Sequence, residues 1–145
     1  MITKIVSGIS GYYRRFAARD SDNPSRLYTT PPNKSNRPLV YLAAPYTHKD
    51  KNIVYERYKL VNKKTHELMC QGLSVFSPIT MCHLIVEEFN LPSSFNYWKN
   101  YDVNFLSCCN TLYVLMLNEW EKSEGVAAEV AIATEMKIPI VYLES

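Results

Sequence analysis

A chain of 145 residues fits one domain of ordinary size and leaves little room for a second independent core. With 47% apolar residues, 12% aromatics led by 11 tyrosines, and no apolar run long enough to cross a bilayer, the composition is globular and excludes a helical membrane protein. Net charge is +2, and the opening MITKIVSGIS is too short and too soon interrupted for a secretory leader, so a cytoplasmic location is expected.

The charge is unevenly spread. Residues 1–37 carry seven Lys and Arg against Asp20 and Asp22, whereas the remainder carries nine basic against twelve acidic residues. We read 1–37 as a basic N-terminal extension and 38–145 as the folded domain. ITKIV in the extension reads as a short edge strand and YYRRFAAR as a helical turn or two, separated by Gly and Pro punctuation. Such an arm can touch nucleic acid, a phosphorylated substrate or an acidic neighbour, but a solvated arm is the commoner outcome.

From Leu39 the rhythm changes. LVYLAAPY is a compact run of strand formers, THKD offers Thr47 or Asp50 as a helix cap, and Asp50–Gln71 carries Val54, Tyr58, Val61, Thr65, Leu68 and Met69 along one side before Gly72 stops it. LSVFSPI reads as a second strand ended by Pro78, followed by a loop holding His83. Ser94–Cys109 has helical spacing through Tyr97, Tyr101, Phe105 and Cys108. TLYVLML is apolar on both faces, as a central parallel strand must be. Ser123–Met136 is an Ala- and Glu-rich helix and IPIVYLES the last strand. Alternating strands and helices predict an α/β fold, a three-layer open parallel sheet of Rossmann or flavodoxin type, with strands at 39–44, 73–77, 111–117 and 139–143.

Ligands in such sheets bind beyond the carboxyl ends of the strands, which directs attention to 43–47, 77–83 and 118–129. Gly125 permits close approach of a ligand or a sharp turn, Ser123 offers a hydroxyl, and the helix start offers free N–H groups suited to phosphate. Glu129, among alanines, is either an exposed early-turn charge or a site carboxylate; Asp102, in aromatic surroundings, is either a structural acceptor or its partner. Two carboxylates in different environments can divide glycosidic cleavage, one ionised as nucleophile and one protonated as acid. Tyr46 and Trp98 can stack on a base or close the core, and His83 and His48 can reach a pocket or sit on the surface.

The four cysteines, Cys70, Cys82, Cys108 and Cys109, form neither a disulfide framework nor a CxxC site, and are expected to be reduced and mostly buried. Cys82 and His83 lack a zinc-site spacing, so no metal is expected.

VYLAAPYT, Glu56–Arg57, GLSVFSPIT, Trp98, Asp102, WEKSEGVAAEVAIA and KIPIVYL, in that order, resemble the nucleoside 2-deoxyribosyltransferase-like superfamily, over roughly 39–143. The closer likeness is to a small bacterial and phage branch similar to nucleotide N-glycosidases. The resemblance implies Glu129 as the nucleophile at the sugar C1′, Asp102 assisting departure of the base, and Tyr41 positioning the nucleophile. Ser123, six residues before Glu129, matches the 5′-monophosphate enzymes. The chain departs from them after the first strand, where Ala43–Thr47 stands in place of a Gly-Ser-x-Arg-like phosphate loop; Thr47 would then supply a hydroxyl and Arg57 or the arm a cation.

These readings give N-glycosidase action on a nucleoside or its 5′-monophosphate, with base exchange by an N-deoxyribosyltransferase as the alternative, and a non-catalytic nucleotide-binding module as the rival from another class. The expected substrate contacts are Ser123, Gly125, Thr47, Tyr46, Arg57, His83 and Trp98. No cofactor is implied. A homodimer or higher homo-oligomer is expected, nucleic acid is a partner only through the arm, and no membrane is involved.

Overall fold

The computed structural model describes residues 38–145. The readings of an edge strand, a helical turn and a basic arm lie outside those residues. Four strands, β1 (Leu39–Ala43), β2 (Ser74–Phe76), β3 (Thr111–Met116) and β4 (Ile140–Glu144), form one parallel sheet in the order β2-β1-β3-β4. Tyr41 stands opposite Phe76 on one side and Leu112 on the other, and Val114 opposite Tyr142. The expected α/β parallel sheet is thus found, with β2 trimmed to three residues.

The helices are α1 (Lys51–Cys70), α2 (Pro78–Phe89), α3 (Phe95–Ser107) and α4 (Glu124–Glu135), with a 3-10 turn at Trp120–Lys122. Strand alternation sorts the core into two layers. Val40, Leu42, Tyr113 and Leu115 pack with Val61 and Leu68 of α1 and Ile79 of α2. Tyr41, Ala43, Leu112 and Val114 point the other way, to Leu106 of α3 and to Val126 and Ala133 of α4. Each fully buried Leu or Val contributes about 1.5–3 kcal/mol of transfer free energy, so these two layers are the main source of stability.

Local chemistry sets the element ends. Asp50 caps α1 by accepting from the Asn52 N–H at 2.8 Å. Gly72, at φ 85°, lets the chain reverse so that Gly72 N–H reaches the Met69 carbonyl and Leu73 N–H the Leu68 carbonyl.

One expectation is corrected here. The residues after Pro78 are not a loop: α2 begins there, with Ser77 as its cap and Pro78 in the first turn, where a missing N–H costs nothing. His83 is therefore a helical residue. Three smaller corrections follow. α3 stops at Ser107, leaving Cys108 as its C-cap and Cys109 beyond, and only Cys82 and Cys109 are buried, while Cys70 and Cys108 are exposed. Met69 is also exposed, whereas Arg57 joins Val61, Thr65 and Leu68 on the buried side of α1. No helix among the described residues is long and apolar enough to cross a membrane.

Candidate active site

A cavity of about 700 Å³ opens beyond the carboxyl ends of β1, β2 and β3. Its position follows from the strand order: the chain leaves β1 for one side of the sheet and β3 for the other, and the loops part at that point. Glu129 from α4 and Asp102 from α3 both reach the cavity from the same layer, and Tyr41, alternating into that layer from β1, lies beneath them.

Tyr41 is fully buried and its hydroxyl donates to Glu129 Oε1 at 2.8 Å. Glu129 and Asp102 are themselves buried, at 7% and 6% exposure, so Glu129 is not the surface charge that spacing alone allowed. Burial pushes Glu129 up to about 8; the Tyr41 hydrogen bond pulls it down and the Asp102 charge pushes it up further. Burial also lifts Asp102 to about 6, against a smaller downward pull from the Tyr41 hydroxyl. The Tyr41 phenol is driven far above its ordinary value by burial and then by the two carboxylates, so it remains a donor. Asp102 Oδ1 is buried without a hydrogen-bond partner among the described residues. Between about pH 6 and 8 the pair holds one proton and one negative charge, as one acid and one base would.

The expected contact residues Ser123, Gly125, Thr47, Tyr46, Arg57, His83 and Trp98 all line this cavity. Several of their polar groups are already engaged. Ser123 Oγ accepts from the Val126 N–H as the cap of α4, Thr47 Oγ1 donates to the Ser93 carbonyl, and Trp98 Nε1 donates to the Pro92 carbonyl. Arg57 is buried; it donates from Nη1 to the Thr47 carbonyl at 2.9 Å and from Nη2 to the Asn118 carbonyl at 3.2 Å, with Glu119 at 3.9 Å. It thereby ties the loop after β1 to the loop after β3. Gly125 has no positive φ, and a Cβ built on it meets only Ser123 Oγ, at 3.9 Å. The backbone at this position therefore does not itself require glycine.

Sequence reasoning passed over Glu119 and Lys122, which also line the cavity. Glu119 sits in the left-handed region at φ 65° and pairs with both Lys122 and Arg57. It lies inside the segment after β3 that the sheet rule singles out, so the signal was present. Tyr58, whose ring stacks on His83 at 3.9 Å, was read only as a core position. A helix over 78–89 would have placed Ile79, Cys82, His83 and Val86 on one face toward the cavity. Among the described residues no group of three His, Cys, Asp or Glu side chains is placed to hold a metal ion.

The parallel α/β sheet ordered 2-1-3-4 is of the Rossmann-like kind found in a 2-deoxyribosyltransferase of known structure. The chain belongs to the family described as domain of unknown function (DUF1937), whose model matches residues 38–145. The structure of 2-deoxyribosyltransferase from the psychrotolerant bacterium Bacillus psychrosaccharolyticus superposes with a TM-score of 0.51, at 21% identity, over 73% of this chain and 72% of that one. No curated protein matches the chain.

Proposed function

We propose that the protein transfers a 2-deoxyribosyl group between nucleobases, with Glu129 as the covalent carrier. The observation that carries this reading is the buried Tyr41–Glu129 hydrogen bond beside Asp102 in the wall of one open cavity. The kinship in fold with a 2-deoxyribosyltransferase favours base exchange over the hydrolysis that the likeness to nucleotide N-glycosidases implied.

In the first step Glu129 Oε2 attacks C1′, the C1′–N bond breaks with its electron pair leaving on the base, and Asp102 gives that nitrogen its proton. In the second, the nitrogen of an incoming base attacks C1′, the ester bond breaks to regenerate the Glu129 carboxylate, and the incoming base returns its proton to Asp102. The first step needs a charge on Glu129 and a proton on Asp102; the second uses the Asp102 carboxylate that the first leaves behind. Tyr41, donating to Glu129 Oε1, holds the charge there, because a hydrogen bond to the ionised form favours it. No metal or organic cofactor enters this scheme.

The substrate in this reading is the free nucleoside. The cavity carries Asp102, Glu119, Glu124 and Glu129, while its two cations among the described residues, Arg57 and Lys122, are paired with Glu119. A 5′-phosphate would meet repulsion there, so the Ser123 signal for a monophosphate is outweighed.

The test is incubation of the protein with a 2′-deoxynucleoside and a different free base. Appearance of the crossed nucleoside is expected, with the nucleoside preferred to its 5′-monophosphate. Free sugar without crossed product would establish hydrolysis instead, and absence of both would remove the enzyme reading.

A further inference from the structure

The cavity wall beyond β2 is the inner face of α2, where Ile79, Cys82 and Val86 line it, and Trp98 of α3 adds a further apolar side chain. One polar pair interrupts it: Tyr46 Oη lies 2.8 Å from His83 Nδ1, and both side chains line the cavity. Tyr58 stacks on the imidazole at 3.9 Å and 22°, which fixes the ring plane.

The pair is neutral near pH 7. Burial lowers His83 and raises Tyr46 to about 12, with Glu87 the charged group acting on both. A neutral imidazole carries its proton on either nitrogen. With Nδ1 bare, the Tyr46 O–H donates to it and the phenol oxygen turns a lone pair to the cavity. With the proton on Nδ1, the imidazole donates to Tyr46 Oη and the phenol O–H is free to donate into the cavity.

We propose that Tyr46 Oη, backed by His83 Nδ1, is the base-recognition point of this cavity, and that exchange of the His83 tautomer, the proton passing between Nε2 and Nδ1 by way of solvent while the Tyr46 O–H rotates, lets it pair with either an amino or an oxo substituent. This rests on the nucleoside reading above. An apolar wall that takes an aromatic ring needs at least one such contact for orientation, and a fixed donor or acceptor would reject half of the common bases, because an unpaired buried polar group is costly. A site that exchanges one base for another gains from a contact that accepts both.

The test is calorimetric binding to the full-length chain carrying Glu129→Gln, with the 2′-deoxynucleosides of adenine, hypoxanthine and unsubstituted purine. These differ at the 6-position, amino, oxo and hydrogen, and the oxo purine also carries a proton on N1. Tyr46→Phe is expected to weaken the amino and oxo ligands by about fivefold each, in the range of one neutral hydrogen bond, and to leave the unsubstituted purine unchanged. His83→Leu removes the proton acceptor and leaves a phenol that donates by preference, so the ratio of affinities shifts at least about threefold toward the oxo ligand. Equal weakening of all three ligands by Tyr46→Phe would make the tyrosine a wall residue and overturn the proposal, as would no weakening or an unshifted ratio in His83→Leu. If the parent chain binds none of the three, the nucleoside reading falls, and this assignment with it.

Discussion

Glu129 and Asp102 owe their chemistry to burial, and each then differs through what touches it. Glu129→Gln keeps shape and hydrogen-bonding capacity but removes the attacking oxygen; we expect base exchange to fall below detection while nucleoside binding, followed by calorimetry, stays within about threefold. Tyr41→Phe is the finer probe. It takes away a hydrogen bond to the charged form, worth about 1.5–3 kcal/mol, so Glu129 moves up by about one to two further pH units. With wild type, kcat/KM should be bell-shaped, with limbs near 6 and 8 where the pair gains and loses its single proton. In Tyr41→Phe the upper limb should move upward and the plateau fall, because the charge that attack requires on Glu129 is then less well held. An unmoved upper limb would show that Tyr41 acts on something other than the Glu129 charge.

At the scale of elements, the start of α4 is the most informative. Ser123 caps it and Gly125 lies in its first turn with no conformational need to be glycine. Gly125→Ala should therefore raise stability by about 0.5–1 kcal/mol in denaturant titration while raising KM, since the new methyl occupies cavity space. A fall in stability would mean that the chain itself, and not a ligand, requires the glycine. The same element was legible in the sequence, as was the long helix α1, through the capping and stop residues Ser123, Asp50 and Gly72, while β1 and β3 were legible as compact apolar runs. α2 was hidden by Pro78. A proline after a strand reads as an end, yet after Ser77 it is also a helix start, and only the inward face made by Ile79, Cys82, His83 and Val86 decides between them. The carboxylates were found by resemblance, but their burial was not foreseeable from alternation alone. It depends on α3 and α4 packing side by side on the face that Tyr41 enters. Arg57 illustrates the opposite error: a sequence shows a cation, whereas the fold shows a guanidinium already joined to two loops.

The whole molecule carries the cost of keeping two carboxyls out of water. Both have folded-state values above their ordinary ones of 3.8 and 4.5, so the stability they contribute is fully present at low pH and lost as the pH rises through about 6 and then about 8. The contribution of these two carboxyls to the denaturant midpoint should therefore decline from about pH 4 to about pH 8 and level off above, and Glu129→Gln should flatten the upper part of that fall. The cavity also contains a thiol. Cys82 is buried, with Tyr101 Oη at 3.7 Å, and burial raises it, so it is a slow nucleophile, whereas Cys70 and Cys108 are open to solvent. Intact-mass spectra after brief alkylation should therefore show two fast adducts, with later ones as Cys82 and Cys109 open. A bound nucleoside should delay the adduct at Cys82 alone, which makes that sulfur a built-in occupancy gauge, readable by mass in a protein that performs no chemistry at all.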